Sequence, residues 1–268
     1  MKTASASLSS DQTGERVPEE RQCAILRQLS ESGRVVAAEL AVQFGISEDS
    51  VRRDLRELAA RGLCHRVYGG ALAKRPDVSS LARRRGQQID RKLLLARKAI
   101  SGVSRGQLLM LDAGSTNCAI ADALPDNLRL TVVTNAPDIA QRLMDREAIE
   151  VLLIGGRIDK RSGAAVGGGT IEAIRRIRAD ICFPGVCALD PHRGLWAIND
   201  EEALVKRAMI EASASAVAVA TSDKFGAAAM HHVVSWEHIE QLVVEHDTDE
   251  MQLDAFASKV AIARADAR

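Results

Sequence analysis

The stretch over residues 36–58, VAAELAVQFGISEDSVRRDLREL, constrains the fold more than any other part of the chain. Val36, Leu40, Ala41 and Phe44 recur at helical spacing and predict one shared face. Gly45 then supplies the left-handed residue at which a helix stops. Ser47 is a suitable N-cap for a second helix, and Glu48 and Asp49 sit in its first turn, where the helix dipole favours negative charge. Val51, Leu55 and Leu58 give that helix a buried stripe. At ~100° per residue the opposite face carries Asp49, Ser50, Arg53 and Arg56, with Arg52 at its edge. Two short helices about a tight turn, the second with a polar, arginine-bearing face, make the helix-turn-helix plan that enters a DNA major groove. Ser47, Asp49, Ser50, Arg52, Arg53 and Arg56 are therefore the candidate DNA contacts. Ordinary three-helix clusters share part of this pattern, so the residues directly after the second helix carry weight. Residues 63–68 read as a strand, Gly69-Gly70 as a turn and Ala71-Leu72 as a return. A hairpin there is a wing, with Arg66 placed near phosphate.

Charge distribution agrees with that reading. The net charge of the 268 residues is zero, but residues 21–105 hold 18 Lys/Arg against 8 Asp/Glu, and residues 106–268 hold 16 against 24. A basic front and an acidic back suit a chain that puts one end on nucleic acid. Aromatic content of 3% excludes a stacking surface for single strands. The five cysteines, Cys23, Cys64, Cys118, Cys182 and Cys187, are scattered and lack CxxC spacing, which argues against a zinc site or disulfide framework and for reduced thiols in the cytoplasm. No apolar run approaches the ~18 residues of a membrane span. His231 and His232 are adjacent and cannot face one ligand together, so no metal is expected.

Along the chain, residues 1–17 are small and polar and read as a disordered tail. A helix over residues 18–32, the motif and the wing make a DNA-binding domain of residues 18–73. Lys74-Arg75-Pro76-Asp77 marks a boundary, and residues 74–105 read as a linker helix. From residue 106 the pattern changes. Apolar runs at 108–112, 130–134, 151–154, 180–186, 216–221, 242–245 and 260–263 alternate with helical segments at 116–124, 137–146, 170–178 and 201–213. Near-continuous apolar strands between helices predict an α/β domain with a largely parallel sheet over residues 106–268.

Ligands of such sheets bind beyond the carboxyl ends of the strands. There lie Asp112, Gly114, Ser115 and Thr116, then Asn135, then the glycines 155–156 and 167–169, with Lys206 on a helix and Lys224 after a strand. Loop amides at a helix N-terminus and two lysines suit a phosphate, and Asp112 and Asn135 suit hydroxyls. The expected ligand is a phosphorylated sugar; no cofactor is expected.

Taken together, residues 21–58, the wing RVYGGA, and LDAGST, VVTN, LLIGG, NDEEALVKRAMIEAS and SDKFG resemble the DeoR family of bacterial transcription regulators over roughly residues 18–263. The resemblance implies an N-terminal winged helix-turn-helix and a C-terminal domain similar to ribose-5-phosphate isomerase and CoA transferases. It also implies repression of carbohydrate-catabolic genes, release from operator DNA by a sugar phosphate, and action as a homo-oligomer. The chain departs from the family pattern at Ala113 and Ser115 in the first sensor loop, at Cys187, where an acid is usual, and at Trp196. The alternative is an isomerase fused to a DNA-binding domain. Such an enzyme needs a carboxylate base, and within residues 184–190 only Asp190 could serve.

Overall fold

The computed structural model describes residues 18–267. The tail expected over residues 1–17 lies outside the described residues. The chain divides after Ala73 into two compact units.

The first unit opens with α1 (Pro18–Ser32) and β1 (Arg34–Val36), followed by α2 (Ala37–Phe44) and α3 (Glu48–Ala60). Gly45, at φ 66°, closes α2 in the left-handed conformation, and its N–H reaches the carbonyls of Ala41 and Val42. The Ser47 hydroxyl caps α3 by accepting from the Ser50 amide. Ile25, Leu29, Leu40, Val51, Leu55 and Leu58 are buried and form the core. Each is worth ~1.5–3 kcal/mol of transfer free energy. Two further strands, β2 (His65–Val67) and β3 (Gly70–Leu72), form the hairpin, turned by Gly69 at φ 78°. The sequence pattern does not anticipate β1, which pairs with β3 and makes the wing three-stranded in the order β1-β3-β2. Val36 consequently ends a strand and is exposed; the buried start of α2 is Ala37. Gly70 is obligatory at this crossing, because a Cβ there would run into the Val35 carbonyl.

The second unit begins at Lys74. The single linker helix expected over 74–105 is instead two helices, α4 (Leu81–Arg85) and α5 (Ile89–Ala99), with a break where Gln88 takes a left-handed φ of 51°. Leu95, Ala96 and Ala99 of α5 lie in the core of the second unit. The rest alternates β4 (Leu108–Leu111), α6 (Ser115–Ala123), β5 (Leu130–Thr134), α7 (Pro137–Leu143), β6 (Ile149–Leu153), β7 (Arg157–Asp159), β8 (Ala164–Val166) and α8 (Gly168–Arg175). It continues with β9 (Ala179–Phe183), β10 (Ala188–Asp190), β11 (Gly194–Ala197), α9 (Asp200–Glu211), β12 (Ser213–Val219), β13 (His231–Val234), β14 (Gln241–Val244), α10 (Glu250–Ala257) and β15 (Ala261–Arg264).

Seven of these strands form one sheet in the order β15-β14-β12-β9-β4-β5-β6, parallel at every pairing. They coincide with the seven apolar runs. Central strands such as β4 and β14, buried on both faces, must be apolar along their whole length, which is why their runs are legible; the end strands β6 and β15 are partly exposed. The chain leaves β4 towards β5 and β6, then returns on its other side with β9, so the strand order reverses between β4 and β9. In open α/β sheets the crevice at such a switch point is where ligands bind. The β7–β8 hairpin and the antiparallel β10-β11-β13 sheet are additions that alternation alone does not reveal. His231 and His232 lie on the latter. Among the described residues no helix is long and apolar enough to cross a membrane.

Candidate functional site

On α3, Arg53 and Arg56 stand in solvent on the face opposite Val51, Leu55 and Leu58. Arg52 is also exposed, but it bonds back along its own helix to Glu48 at 2.7 Å and Asp49 at 3.4 Å. Ser47 and Ser50 share a hydroxyl–hydroxyl bond of 2.9 Å at the helix start, beside the exposed Asp49. Arg66 is exposed on β2. Next to it Tyr68, which the sequence reading does not single out, is fully exposed at the tip of the wing.

Sequence periodicity also misses how α3 is held. Asp54 is buried and receives Arg21 of α1 in a two-point contact, Nε to Oδ2 at 2.6 Å and Nη2 to Oδ1 at 3.1 Å. Gln22 donates to Glu57 at 2.8 Å one turn on. A bidentate Arg–carboxylate pair fixes orientation as well as distance, so α1 sets the angle at which α3 presents its outer face.

In the second unit a cleft lies at the β4/β9 switch point. Its floor is the N-terminus of α6 (Gly114, Ser115, Thr116 and Asn117) together with Gly185, Val186 and Cys187, which come after β9. Glu202 and Lys206 of α9 line one side, and Thr221, Asp223 and Lys224 after β12 another. The remaining wall is Asp77, Arg84, Gln87, Gln88 and Lys92, from the segment the sequence reading treats as a linker. Of the predicted ligand residues, Gly114, Ser115, Thr116, Lys206 and Lys224 come together here.

Two do not line the cleft. Asp112 lies beneath it, 1% exposed, with one oxygen accepting from the Ala113 amide at 2.7 Å and the other from the Gly185 amide at 2.8 Å and Lys206 Nζ at 2.5 Å. Its lone pairs are committed to holding the two loops. Asn135 is fully buried and donates to the Ala165 carbonyl at 3.1 Å, tying β5 to β8. The structure thus places Asp112 and Asn135 beneath and behind the cleft, bonded to neighbouring loops, and not among the residues that line it.

Lys206 is also more enclosed than a surface phosphate ligand, 2% exposed between Asp112 and Glu202, the latter at 3.2 Å. Burial opposes its charge, but the two carboxylates outweigh burial and push its pKa up. Glu202 responds in kind: burial would raise its pKa, yet Lys206, the Cys187 thiol and Arg161 hold it below the carboxylate range. The Cys187 thiol, pushed up to about 12 by burial and then by Glu202, stays protonated and donates to Glu202 at 3.2 Å. Lys92 has its pKa lowered by burial and by the nearby cations Lys224 and Arg84, and its Nζ donates to the carbonyls of Arg84 and Gln87 at 2.6 Å each. Lys224 is half-buried and bonded to Asp223 at 2.7 Å. Asp190, the acid considered for isomerase chemistry, caps a turn by accepting from the His192 and Arg193 amides and does not line the cleft. Among the described residues no group of His, Cys, Asp or Glu could hold a metal ion.

A glycine-stopped helix, a capped and arginine-faced second helix and a wing, joined in one chain to a cleft at an α/β switch point, define a two-unit DNA-binding regulator. Residues 21–76 match the DeoR-like helix-turn-helix domain and residues 87–246 the DeoR C terminal sensor domain. The chain belongs to the DeoR family of transcription regulators. It is 33% identical over 239 residues to the HTH-type transcriptional regulator GlpR of Haloferax volcanii, covering 87% of this chain and 92% of that protein. It is also 33% identical over 212 residues to the glycerol-3-phosphate regulon repressor of Escherichia coli K12, covering 79% and 84%. Ribose 5 phosphate isomerase A of Neisseria gonorrhoeae is similar at 16% identity and a TM-score of 0.38 over 52% of this chain and 54% of that one, too slight a likeness to carry an argument.

Proposed function

We propose that this regulator represses carbohydrate-catabolic genes in the cytoplasm, sits on double-stranded operator DNA as a homo-oligomer, and is released when a phosphorylated sugar or polyol enters the cleft. The observation that carries the reading is the cleft itself. The amide end of α6 opens onto the same space as Lys224, Arg84 and Lys92. A helix N-terminus offers unpaired N–H groups and positive potential to an anion. In this reading phosphate takes the α6 amides and Lys224, which has only one carboxylate to leave. Lys206 holds the floor in place. The glycerol-3-phosphate regulon repressor among the relatives supports a phosphorylated ligand.

A ligand moves DNA affinity only by its preference for one of two states. Coupling of ~1–3 kcal/mol gives a ~5–150-fold change. The test is operator binding by fluorescence anisotropy together with melting temperature, across glycerol 3-phosphate, hexose and pentose phosphates, and inorganic phosphate. We expect one phosphorylated compound to raise the melting temperature and weaken operator binding within that range, with Lys224→Ala blunting both effects. If no compound in the panel moves either quantity, the sensor reading is wrong.

A further inference from the structure

The seven-stranded sheet has two ends, and they are finished differently. At β15 the strand ends on Arg264, which donates to the carbonyls of His246 and Thr248 and pairs with Glu250. At β6, whose strand neighbour among the described residues is β5, the strand ends on two leucines. The Ile154 amide donates to Thr134 of β5, so the backbone groups of even-numbered residues turn towards β5 and those of Ile149, Val151 and Leu153 turn outward. Leu152 and Leu153 are both about half exposed on this strand. An open edge with exposed leucines and no proline, lysine or bulge is a template for another strand.

We propose that this other strand is β6 of a second copy, the two pairing antiparallel about a two-fold axis at Val151 and joining two seven-stranded sheets into one. This rests on the proposed oligomer and names its seam. Register, symmetry and charge single out a second copy. The pairing sets Ile149 against Leu153 of the partner subunit and Val151 against itself, so the outward N–H and C=O groups of all three residues are satisfied together. Closed two-fold contacts of this kind use the same patch twice. Charge is arranged for it: the chain enters β6 through exposed Asp145 and Glu147 and leaves it towards exposed Lys160 and Arg157, the latter also paired with Glu201 of its own chain, and an antiparallel two-fold lays the acidic entry of one copy beside the basic exit of the other. Finally, Glu150, the charge on the strand itself, is drawn back by a 3.3 Å bond from Thr131 on β5.

The experiment is multi-angle light scattering of the full chain at micromolar concentration, with circular dichroism melts to confirm folding. Leu153→Lys puts charge into the seam at a solvent-exposed position. Val151→Pro removes an amide that points away from β5. We expect the wild type to be dimeric or a higher even assembly, and both variants to halve in mass while melting as the wild type does. Lys160→Glu is expected to weaken assembly and Glu147→Arg to restore it in the double variant. If both seam variants keep the wild-type mass, this seam is wrong while the oligomeric reading stands. A wild type that is monomeric, as it would be if a different protein occupied this edge, overturns both. Failure of the charge swap to restore assembly overturns the antiparallel register.

Discussion

On α3, Arg52, Arg53 and Arg56 stand in water, and the one that is paired, Arg52, meets carboxylates that are themselves exposed. In the cleft of the second unit, Lys206 and Lys92 are buried and their donors are already taken by carboxylates or carbonyls. Exposed pairs contribute ~0–1 kcal/mol and break easily, so a surface that must meet a polyanion keeps its cations loosely tied. Buried charges left alone are costly, so a cleft that must keep its shape holds most of its cations in closed networks. The same residue types are therefore left free in water in one region and tied into the architecture in the other.

The sharpest way to break this comparison is Lys206→Ala. It would strand Asp112 and Glu202, and breaking a buried pair costs ~3–5 kcal/mol. The expected outcome in urea melts is a loss of that size; a loss under ~1 kcal/mol, the range of exposed pairs, would make Lys206 a contact residue like those of α3. Gly185→Ala tests the same knot from the other loop. A Cβ there would lie 2.8 Å from both Asp112 Oδ2 and Lys206 Nζ, and overpacking of this kind costs ~1–3 kcal/mol.

Arg53→Ala should behave in the opposite way, with an unchanged melt and ~1–3 kcal/mol less discrimination between operator and altered sites. Arg66→Ala should weaken all DNA alike and reduce the salt slope by about 1. Measured by anisotropy over a salt series, identical behaviour of the two variants would erase the distinction between base and phosphate contact. A smaller effect is expected from acid. Glu202 is held below its ordinary 4.5, so its contribution to stability is complete above that value and is lost as pH falls through the lower folded value. Melts from neutral pH down to strong acid should show the loss, and Glu202→Gln should flatten it. Arg52→Ala comes last, at under ~0.5 kcal/mol in stability.

The two regions also differ in how far they could be read before folding. Periodicity places Val51, Leu55 and Leu58 inward and Arg53 and Arg56 outward because a helix face is a local property. The central parallel strands are legible for a similar reason, since a strand covered on both faces is apolar along most of its length. What escaped depends on distant partners. The three residues of β1 are too few to show alternation and exist because β3 pairs with them. Asp54 looks like one more polar helix residue until Arg21 is brought against it. In the cleft, Gly114, Ser115, Thr116 and Lys224 were recognisable from strand ends, but nothing local separates Asp112, turned under the loops, from a residue facing ligand. Arg84 and Lys92 were hidden altogether, because a charged helix after a domain boundary reads as a solvated connector.

That misplaced connector has a consequence for inheritance. Similarity to the sensor family begins at residue 87, yet Asp77 and Arg84 already wall the cleft, and the Leu81 amide is fastened to the Arg161 carbonyl. A recombination between two relatives with its crossover at residue 87 would join one parent's floor to the other parent's wall. A crossover directly after Ala73 would carry the whole cleft intact. The heritable block is thus longer than the recognisable one. Chimaeras cut after Ala73 should keep the ligand preference of the parent that supplies the second unit, whereas those cut at residue 87 should lose it.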